Sequence, residues 1–570
     1  MPSLPGWFPR PPGYGGAGVR QDLIAGLTVT FVLVPQAMAY ALLAGVPPVY
    51  GLYAGLVPLL VYTFFASTPH IAVGPTALAS LLTLNGLSDL AEPGGPDFVV
   101  LALRLAALTG LLQLLFGILR LGGLVSLLSR PVLSGFVSAA AVLIVASQIR
   151  SLFGLDMPRT GYLHETLYEF FRHLGSFHWP TALMGFGSLG ILIAGKRFLP
   201  RLPYLLIWIL TATLLTWLLR LDRAGIEVVG TVPAGLPPFT FSALAGGDWL
   251  GLLPVAAVLA LISFVETLSI GNTFATRHGY YRVRPNRELF ALGLSKLAGS
   301  GVSAIPTSAS FGRSAVLEEG GGRSGLANLV SFLLLLLVLL LLTPLFYYLP
   351  VAMLAAVIVF SVGKLFDLAE MRRLYRLAPR ELAVLLVTFL FTLFAGLQYG
   401  IAGGVVLSLT FVFLRAARPH LAELGRIEGT NAFRNVGRFA GAQVDPKLLI
   451  LRFDAELYFG NAEYFSERIM EMVEERTPAP EAVILDGHTI NDVDTTGLYA
   501  LEQLHDTLRS RRIHLYLTGM IGPVRDVLFR SGLMQEMGVE SHFLSIQDAI
   551  RYHYHRDEGR DWTRPAVQHD

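Results

Sequence analysis

The chain has no cysteine. That absence excludes a disulfide framework, a thiol nucleophile and any Cys-ligated metal centre, and it says nothing about redox compartment. Charge is the second scarcity. Asp, Glu, Lys and Arg make up 15% of the 570 residues, against about 25% in a soluble globular chain. No Gly-Lys-Ser or Gly-Lys-Thr phosphate loop occurs, which argues against an ATP-driven pump. No nucleophile, base and oxyanion constellation is legible, so an enzyme is not expected, and no basic run calls for nucleic acid. His488, His514, His553 and His555 lack metal-ligand spacing and read as surface residues. Met1 to Gly18 is rich in Pro and Gly and too polar for a signal-peptide core, so no cleavable leader is expected.

What is abundant is apolar: 53% of residues are hydrophobic. We read fourteen apolar segments, at about 22–43, 50–66, 71–86, 98–118, 124–149, 181–199, 202–220, 250–272, 287–303, 308–318, 325–343, 350–366, 380–396 and 399–416. This is a polytopic α-helical membrane protein. The net charge of +2 matters less than where the charges fall. With a cytoplasmic N-terminus, the inner loops carry Arg120, Arg130, Lys196, Arg197, Arg201, Arg277, Arg282, Arg284, Arg287, Arg323, Lys364, Arg372, Arg373, Arg376 and Arg380. The outer loops carry Asp89, Glu92, Asp97, Asp222, Arg223, Glu227 and Asp248, and a mixed stretch from Arg150 to Arg172. That distribution obeys the positive-inside rule, and with Arg415 and Arg418 after the last span both termini are expected in the cytoplasm.

Two short segments break the rule for membrane helices in the same way. His70 to Ser80 and Ala304 to Ser314 each read as an extended stretch, a Pro-Thr step, then small and polar residues able to open a half-helix. They are the third and tenth segments, the same place in each run of seven. A repeat of seven spans inverts the second half relative to the first, and paired interrupted segments of inverted repeats mark a transporter's binding site. Irregular backbone survives at membrane depth only where protein or a wet cavity supplies partners. Two half-helix N-termini facing one ligand favour an anion.

After Pro419 the composition turns soluble. Leu448–Phe453, Ala482–Asp486 and Ile513–Leu517 read as buried strands, with helices near 461–476, 496–510, 521–532 and 546–555. This is a small α/β domain. The expected division is a cytoplasmic segment 1–20, a transport domain 21–417, the α/β domain 420–557 and a tail 558–570.

Val34-Pro35-Gln36-Ala37-Met38-Ala39-Tyr40, then Pro47-Pro48-Val49-Tyr50-Gly51-Leu52-Tyr53, resembles the signature of the SulP family of anion transporters. So do Gly74-Pro75-Thr76 and Gly312-Arg313-Ser314, and the soluble tail resembles a STAS domain. The resemblance implies two inverted seven-segment repeats, with a core domain (segments 1–4 and 8–11) carrying substrate past a gate domain (segments 5–7 and 12–14). It further implies a homodimer in the plasma (inner) membrane. Members move sulfate, bicarbonate, chloride or carboxylates by symport, exchange or channel-like flow.

The candidate site follows. Gln36 and Tyr40 share one helix face and offer amide and hydroxyl donors; alternatively Gln36 satisfies backbone freed by Pro35. Thr76 and Ala77 open the first half-helix, and Ser310, Phe311 and Gly312 the second; the other reading is that these small residues only permit tight packing. Arg313, costing at least about 2.5–3.5 kcal/mol at membrane depth, should face a cavity and either an anion or Glu266. By resemblance it backs the anion site. Glu266, alone in an apolar span and on a face with Ser263 and Thr267, can carry a proton, ligate Na⁺, or pair structurally with Lys296 or Arg313. The coupling ion expected is H⁺, with Na⁺ the alternative; no cofactor is expected. Lys296 is a second ionisable group at depth, and Arg104 is expected to snorkel. In the tail, Asp494-Thr495-Thr496-Gly497 resembles the Asp-Ser-Ser-Gly loop of STAS proteins, with Thr at both Ser positions. Its simpler reading is a helix N-cap, and its functional reading a regulatory loop for a cytoplasmic protein partner.

Overall fold

A computed structural model describes residues 11, 13–123, 129–158, 160, 162–199, 203–247, 249–363 and 365–556. The expected tail 558–570, most of the expected 1–20 segment, and Arg201 and Lys364 lie outside the described residues. The chain forms two compact units, Met1–Ser408 and Leu409–Asp570.

The first unit carries fourteen helices in the places of the fourteen apolar segments. They are α1 Gly16–Leu43, α2 Pro48–Phe65, α3 Ala77–Leu87, α4 Pro96–Ile118, α5 Arg130–Ser147, α6 Trp179–Phe198 and α7 Tyr204–Leu218 in the first half. The second half holds α8 Leu253–His278, α9 Pro285–Ser300, α10 Phe311–Glu319, α11 Leu326–Leu337, α12 Val351–Val362, α13 Pro379–Ala395 and α14 Leu397–Ala417. The last of these runs past the boundary between the units. Proline opens α2, α4, α5, α6, α8, α9 and α13 at the first or second helical position, where its missing N–H costs nothing. Two two-residue strands, β1 (Val73–Gly74) and β2 (Ser308–Ala309), precede α3 and α10.

The packing repeats itself under inversion. Helix α4 packs on α9, and its mate α11 packs on α2; α1 meets α11 as α8 meets α4; α5 meets α13 as α12 meets α6. Seven-helix repeats with opposite membrane orientation account for this pattern. The pairs also sort into the expected core and gate. Glycine brings core helices together: a Cβ built on Gly293 of α9 would sit 2.5 Å from the Leu114 amide nitrogen and 2.7 Å from the Gly110 carbonyl oxygen of α4. Asp22, fully buried in the first turns of α1, accepts from the Arg323 and Ser324 amides at 2.6 and 3.2 Å and from the Ser324 hydroxyl at 2.5 Å. It thereby holds the entry to α11.

The second unit holds a seven-stranded sheet in the order β4-β3-β6-β7-β8-β9, with β5 (Ala442–Gln443) also pairing β3. Strands β6 (Leu448–Phe453), β7 (Ala482–Asp486), β8 (His514–Thr518) and β9 (His542–Phe543) are parallel; β3 (Leu421–Ile427) and β4 (Phe433–Asn435) are antiparallel additions that the sequence reading did not resolve. Leu449, Leu451, Val483, Leu485, Leu515 and Leu517 face one core, and Leu448, Ile450, Ala482, Ile484 and Tyr516 the other, as the two-residue strand period requires. The first face is covered by α15 (Ala462–Glu474) and α16 (Thr495–Ser510), and the second by the helix Ile546–His555. His553 corrects the surface expectation. It is buried, with Nδ1 3.3 Å from the Tyr516 hydroxyl and Nε2 3.2 Å from Glu481 Oε2, because the last helix turns that face onto the sheet.

Gly293→Ala is expected to push α9 off α4 and destabilise the purified protein by about 1–3 kcal/mol, read as a lowered unfolding temperature in detergent. An unchanged melting point would contradict the backbone contact.

Candidate functional site

The two interrupted segments meet. Strand β1 pairs antiparallel with β2, Val73 opposite Ala309 and Gly74 opposite Ser308, and the Ser310 amide donates to the Ala72 carbonyl at 3.3 Å. The ladder meets the backbone's hydrogen-bond demand at membrane depth. Because it is antiparallel, α3 and α10 leave it in opposite directions with their N-termini at the crossing. Thr76 caps α3, accepting from the Ala79 amide at 3.4 Å, and Ser310 caps α10, accepting from the Arg313 amide at 3.4 Å. The amides of Ala77, Leu78, Phe311 and Gly312 have no hydrogen-bond partner among the described residues. Such orphan donors at a positive helix end form an anion cradle. Phe311 is half exposed and stacks on Phe274 at 6.0 Å between centroids, while a Cβ at Gly312 would meet nothing within 4 Å. That mouth is open.

Arg313 is fully buried. Its Nη1 donates to the Pro75 carbonyl at 2.9 Å, which ties the second half-helix to the end of the first strand. Its Nε and Nη2 have no partner. A Cβ at Gly74 would lie 3.1 Å from Nη2, so glycine there lets the guanidinium lie against the strand. The hydroxyls of Ser80 and Thr307, which sequence reasoning did not single out, are likewise buried and unpaired.

Glu266 of α8 accepts a hydrogen bond from the Ser308 hydroxyl at 2.5 Å. The carboxylate thus touches the crossing itself, through a residue of the second interrupted segment not named as a ligand. Glu266 makes no ion pair within 4.0 Å among the described residues, and both Lys296 and Arg313 act on it electrostatically at longer range. Lys296 is turned elsewhere: its Nζ donates to Gln113 Oε1 at 2.8 Å and to the Ser263 hydroxyl at 3.4 Å. Gln113 in turn donates to the Ala260 carbonyl at 2.8 Å and to Ser263 at 2.7 Å. Thr267 donates to the Ser263 carbonyl at 2.6 Å. Of the shared face, only Glu266 reaches the site. Arg104 reaches the Ala245 carbonyl at 3.2 Å.

Gln36 and Tyr40 are buried on one face of α1. Gln36 Nε2 donates to the Ser361 hydroxyl at 3.3 Å, and its Oε1 has no partner among the described residues. Pro35 is therefore not what the Gln36 amide serves. Ser361 lies on α12, so this contact joins the core to the gate. It was missed because one serine in an apolar span is ordinary. A small cleft of about 80 Å³ runs between the same two layers, lined by Ala39, Leu43 and Leu84 on one side and by Gln148, Arg150 and Leu354 on the other.

A second buried carboxylate escaped the sequence reading. Glu288 of α9 accepts from the Tyr62 hydroxyl at 2.5 Å, from the Ser67 amide and hydroxyl at 2.8 and 2.5 Å, and from Thr68 at 3.3 Å. Its first-turn position in a helix looked unremarkable, and its donors come from the end of α2 and the chain just after it. In the second unit, Asp494 caps α16, accepting from the Gly497 amide at 2.7 Å and the Phe459 amide at 2.9 Å. Thr495 and Thr496 are exposed.

Residues 19–388 match the sulfate permease family, and residues 440–549 the STAS domain. Among curated proteins, "Sulfate transporter 4.1, chloroplastic" of Arabidopsis thaliana is 35% identical over 548 residues, 93% of this chain and 80% of that protein. A "Probable sulfate transporter" of Mycobacterium tuberculosis is 34% identical over 533 residues, 94% of this chain and 95% of that protein. Among solved structures, the murine Slc26a9 anion transporter in the inward-facing state superposes with a TM-score of 0.86 at 26% identity, covering 94% of this chain and 91% of that one. The transmembrane domain of the cyanobacterial bicarbonate transporter BicA shares the fold, with a TM-score of 0.59 at 20% identity over 70% of this chain and 98% of that one. An inverted repeat crossed at two capped half-helices, and these likenesses along both units, have one reading: the chain belongs to the sulfate permease family, as a membrane anion transporter with a C-terminal STAS domain.

Proposed function

We propose that the protein is a secondary active transporter that moves a small oxyanion or carboxylate together with a proton. The observation that carries this reading is the pairing, at one crossing, of a buried guanidinium with two open donor groups and a carboxylate held by a single hydroxyl. The anion would lie between the N-termini of α3 and α10, on Arg313 and the amides of Ala77, Phe311 and Gly312, with Thr76 and Ser310 shaping the two ends. Gln36 and Tyr40 would supply neutral donors from α1. Sulfate leads the candidates because the relatives described above carry that name; bicarbonate and dicarboxylates suit the same donor set.

Glu266 would carry the coupled proton. An ionised carboxylate opposes an anion arriving beside it, and a protonated one does not, so each ion favours the other's binding. Ser308 fits this role because a hydroxyl can donate to the carboxylate and accept from the carboxylic acid. Transport would proceed as an elevator-like movement of the core (α1–α4, α8–α11) along the gate (α5–α7, α12–α14), which breaks the contact of Gln36 with Ser361 and carries the crossing with the core. We further assign the protein to the plasma membrane with both termini cytoplasmic. It would divide at 1–20, 21–417, 420–557 and 558–570, act as a homodimer, and use Asp494, Thr495 and Thr496 as a surface for a cytoplasmic partner.

The test is radiolabelled anion uptake into proteoliposomes, with an inward proton gradient, an inward sodium gradient or neither. Proton-driven uptake that loses its dependence on the gradient in Glu266→Gln would establish symport with Glu266 as carrier. Sodium-driven uptake would assign Glu266 to a cation instead, and flux indifferent to both gradients would leave an exchanger or a channel. Arg313→Gln is expected to cut uptake at least a hundred-fold, matching about 3 kcal/mol for a charge-assisted contact, while the melting temperature stays within a few degrees. Uptake retained in Arg313→Gln would remove the guanidinium from the anion site.

A further inference from the structure

A short helix, Leu368–Leu377, joins α12 to α13. Both neighbours are membrane spans. Five residues separate it from α12, a reach of at most about 17 Å, and Ala378 alone separates it from α13. It packs on α13 through the buried Leu374. It is therefore held at the bilayer surface, at that end of the gate.

Its outward face is unusual for a solvated helix. Leu368, Arg372, Tyr375 and Arg376 fall at i, i+4, i+7 and i+8, on one side, with Leu374 opposite. Leu368 is 53% exposed and Tyr375 73%. Beyond it, α13 itself exposes Leu386, Val387, Leu390, Phe391 and Phe394. The acids of the helix are turned away or occupied: Asp367 caps it, accepting from the Glu370 amide at 2.9 Å, and Glu370 lies 3.9 Å from Arg373 on the back. Arg372 and Arg376 are exposed and have no carboxylate within 4.0 Å among the described residues.

We propose that this helix is a binding site for the headgroup of an anionic phospholipid. Leu368 and Tyr375 enter the boundary between headgroups and acyl chains, as apolar residues of in-plane amphipathic helices do. Arg372 and Arg376 extend along the surface and hold the phosphate with paired N–H donors. Lipid is favoured over a soluble anion because the two arginines are interleaved with exposed apolar side chains that a free ion would leave in water. This inference rests on the helix's attachment to two spans and does not depend on which anion is transported or how.

The absence of cysteine makes the test direct. Ala369→Cys, on the exposed side of the helix and outside the named contacts, is labelled with a fluorophore, and the full chain is reconstituted in phosphatidylcholine vesicles doped with brominated phosphatidylglycerol or brominated phosphatidylcholine. The brominated anionic lipid is expected to quench preferentially at low salt, with the preference falling as salt rises. Arg372→Gln with Arg376→Gln should reduce that preference about thirty-fold, roughly five-fold for each arginine. Arg373→Gln should cost less than either single change, and millimolar phosphate should displace nothing. Equal quenching by the two lipids, an unaltered preference in the double variant, a loss in Arg373→Gln matching the double variant, or displacement by phosphate would each overturn the site. Uptake by the same samples shows that the variants remain folded.

Discussion

Everything at the centre of this molecule depends on one constraint: backbone that leaves the helical path inside a membrane must find hydrogen bonds elsewhere. The short ladder between Val73–Gly74 and Ser308–Ala309 meets that constraint, and its consequences are chemical. The ladder fixes two helix starts at one point. Thr76 and Ser310 each satisfy one amide of the following turn and leave the first two without a partner. The free donors are thus a by-product of crossing the membrane with broken helices, and they supply positive potential without a net charge.

Arg313 adds a full charge to these partial ones. A guanidinium at this depth is costly unless it is paired, and here only one of its donor groups is engaged by protein. The neighbouring acids are disposed to leave it so. Glu266 is held by Ser308, Glu288 is saturated by four donors from another part of the core, and Lys296 is directed to Gln113 and Ser263. None of these groups closes on the guanidinium, which keeps its unsatisfied side available.

Much of this was legible in the sequence, for identifiable reasons. Apolar runs and their breaks are long, one-dimensional signals, so the fourteen segments and the two interruptions could be placed from hydropathy and Pro-Thr steps alone. The strands β6, β7 and β8 carried the same kind of signal. What could not be read were relations fixed by three-dimensional packing. Ser308 and Ser361 are single hydroxyls whose meaning comes from Glu266 and Gln36, far away in the chain. Glu288 resembles any first-turn carboxylate until Tyr62 of α2 and Ser67 beyond it arrive. Strands β4 and β5 and the burial of His553 depend on edges and faces that no local period reports.

The two halves repeat in backbone but not in charge. Under the inversion that maps Thr76 onto Ser310, Arg313 falls on Ala79, a small apolar residue two positions into the first half-helix. Exchanging the roles of the halves therefore never returns an identical molecule. The one buried guanidinium of the crossing stands on the side of α10, with no charged counterpart on the side of α3. The architecture repeats across the two halves, and its electrostatics does not.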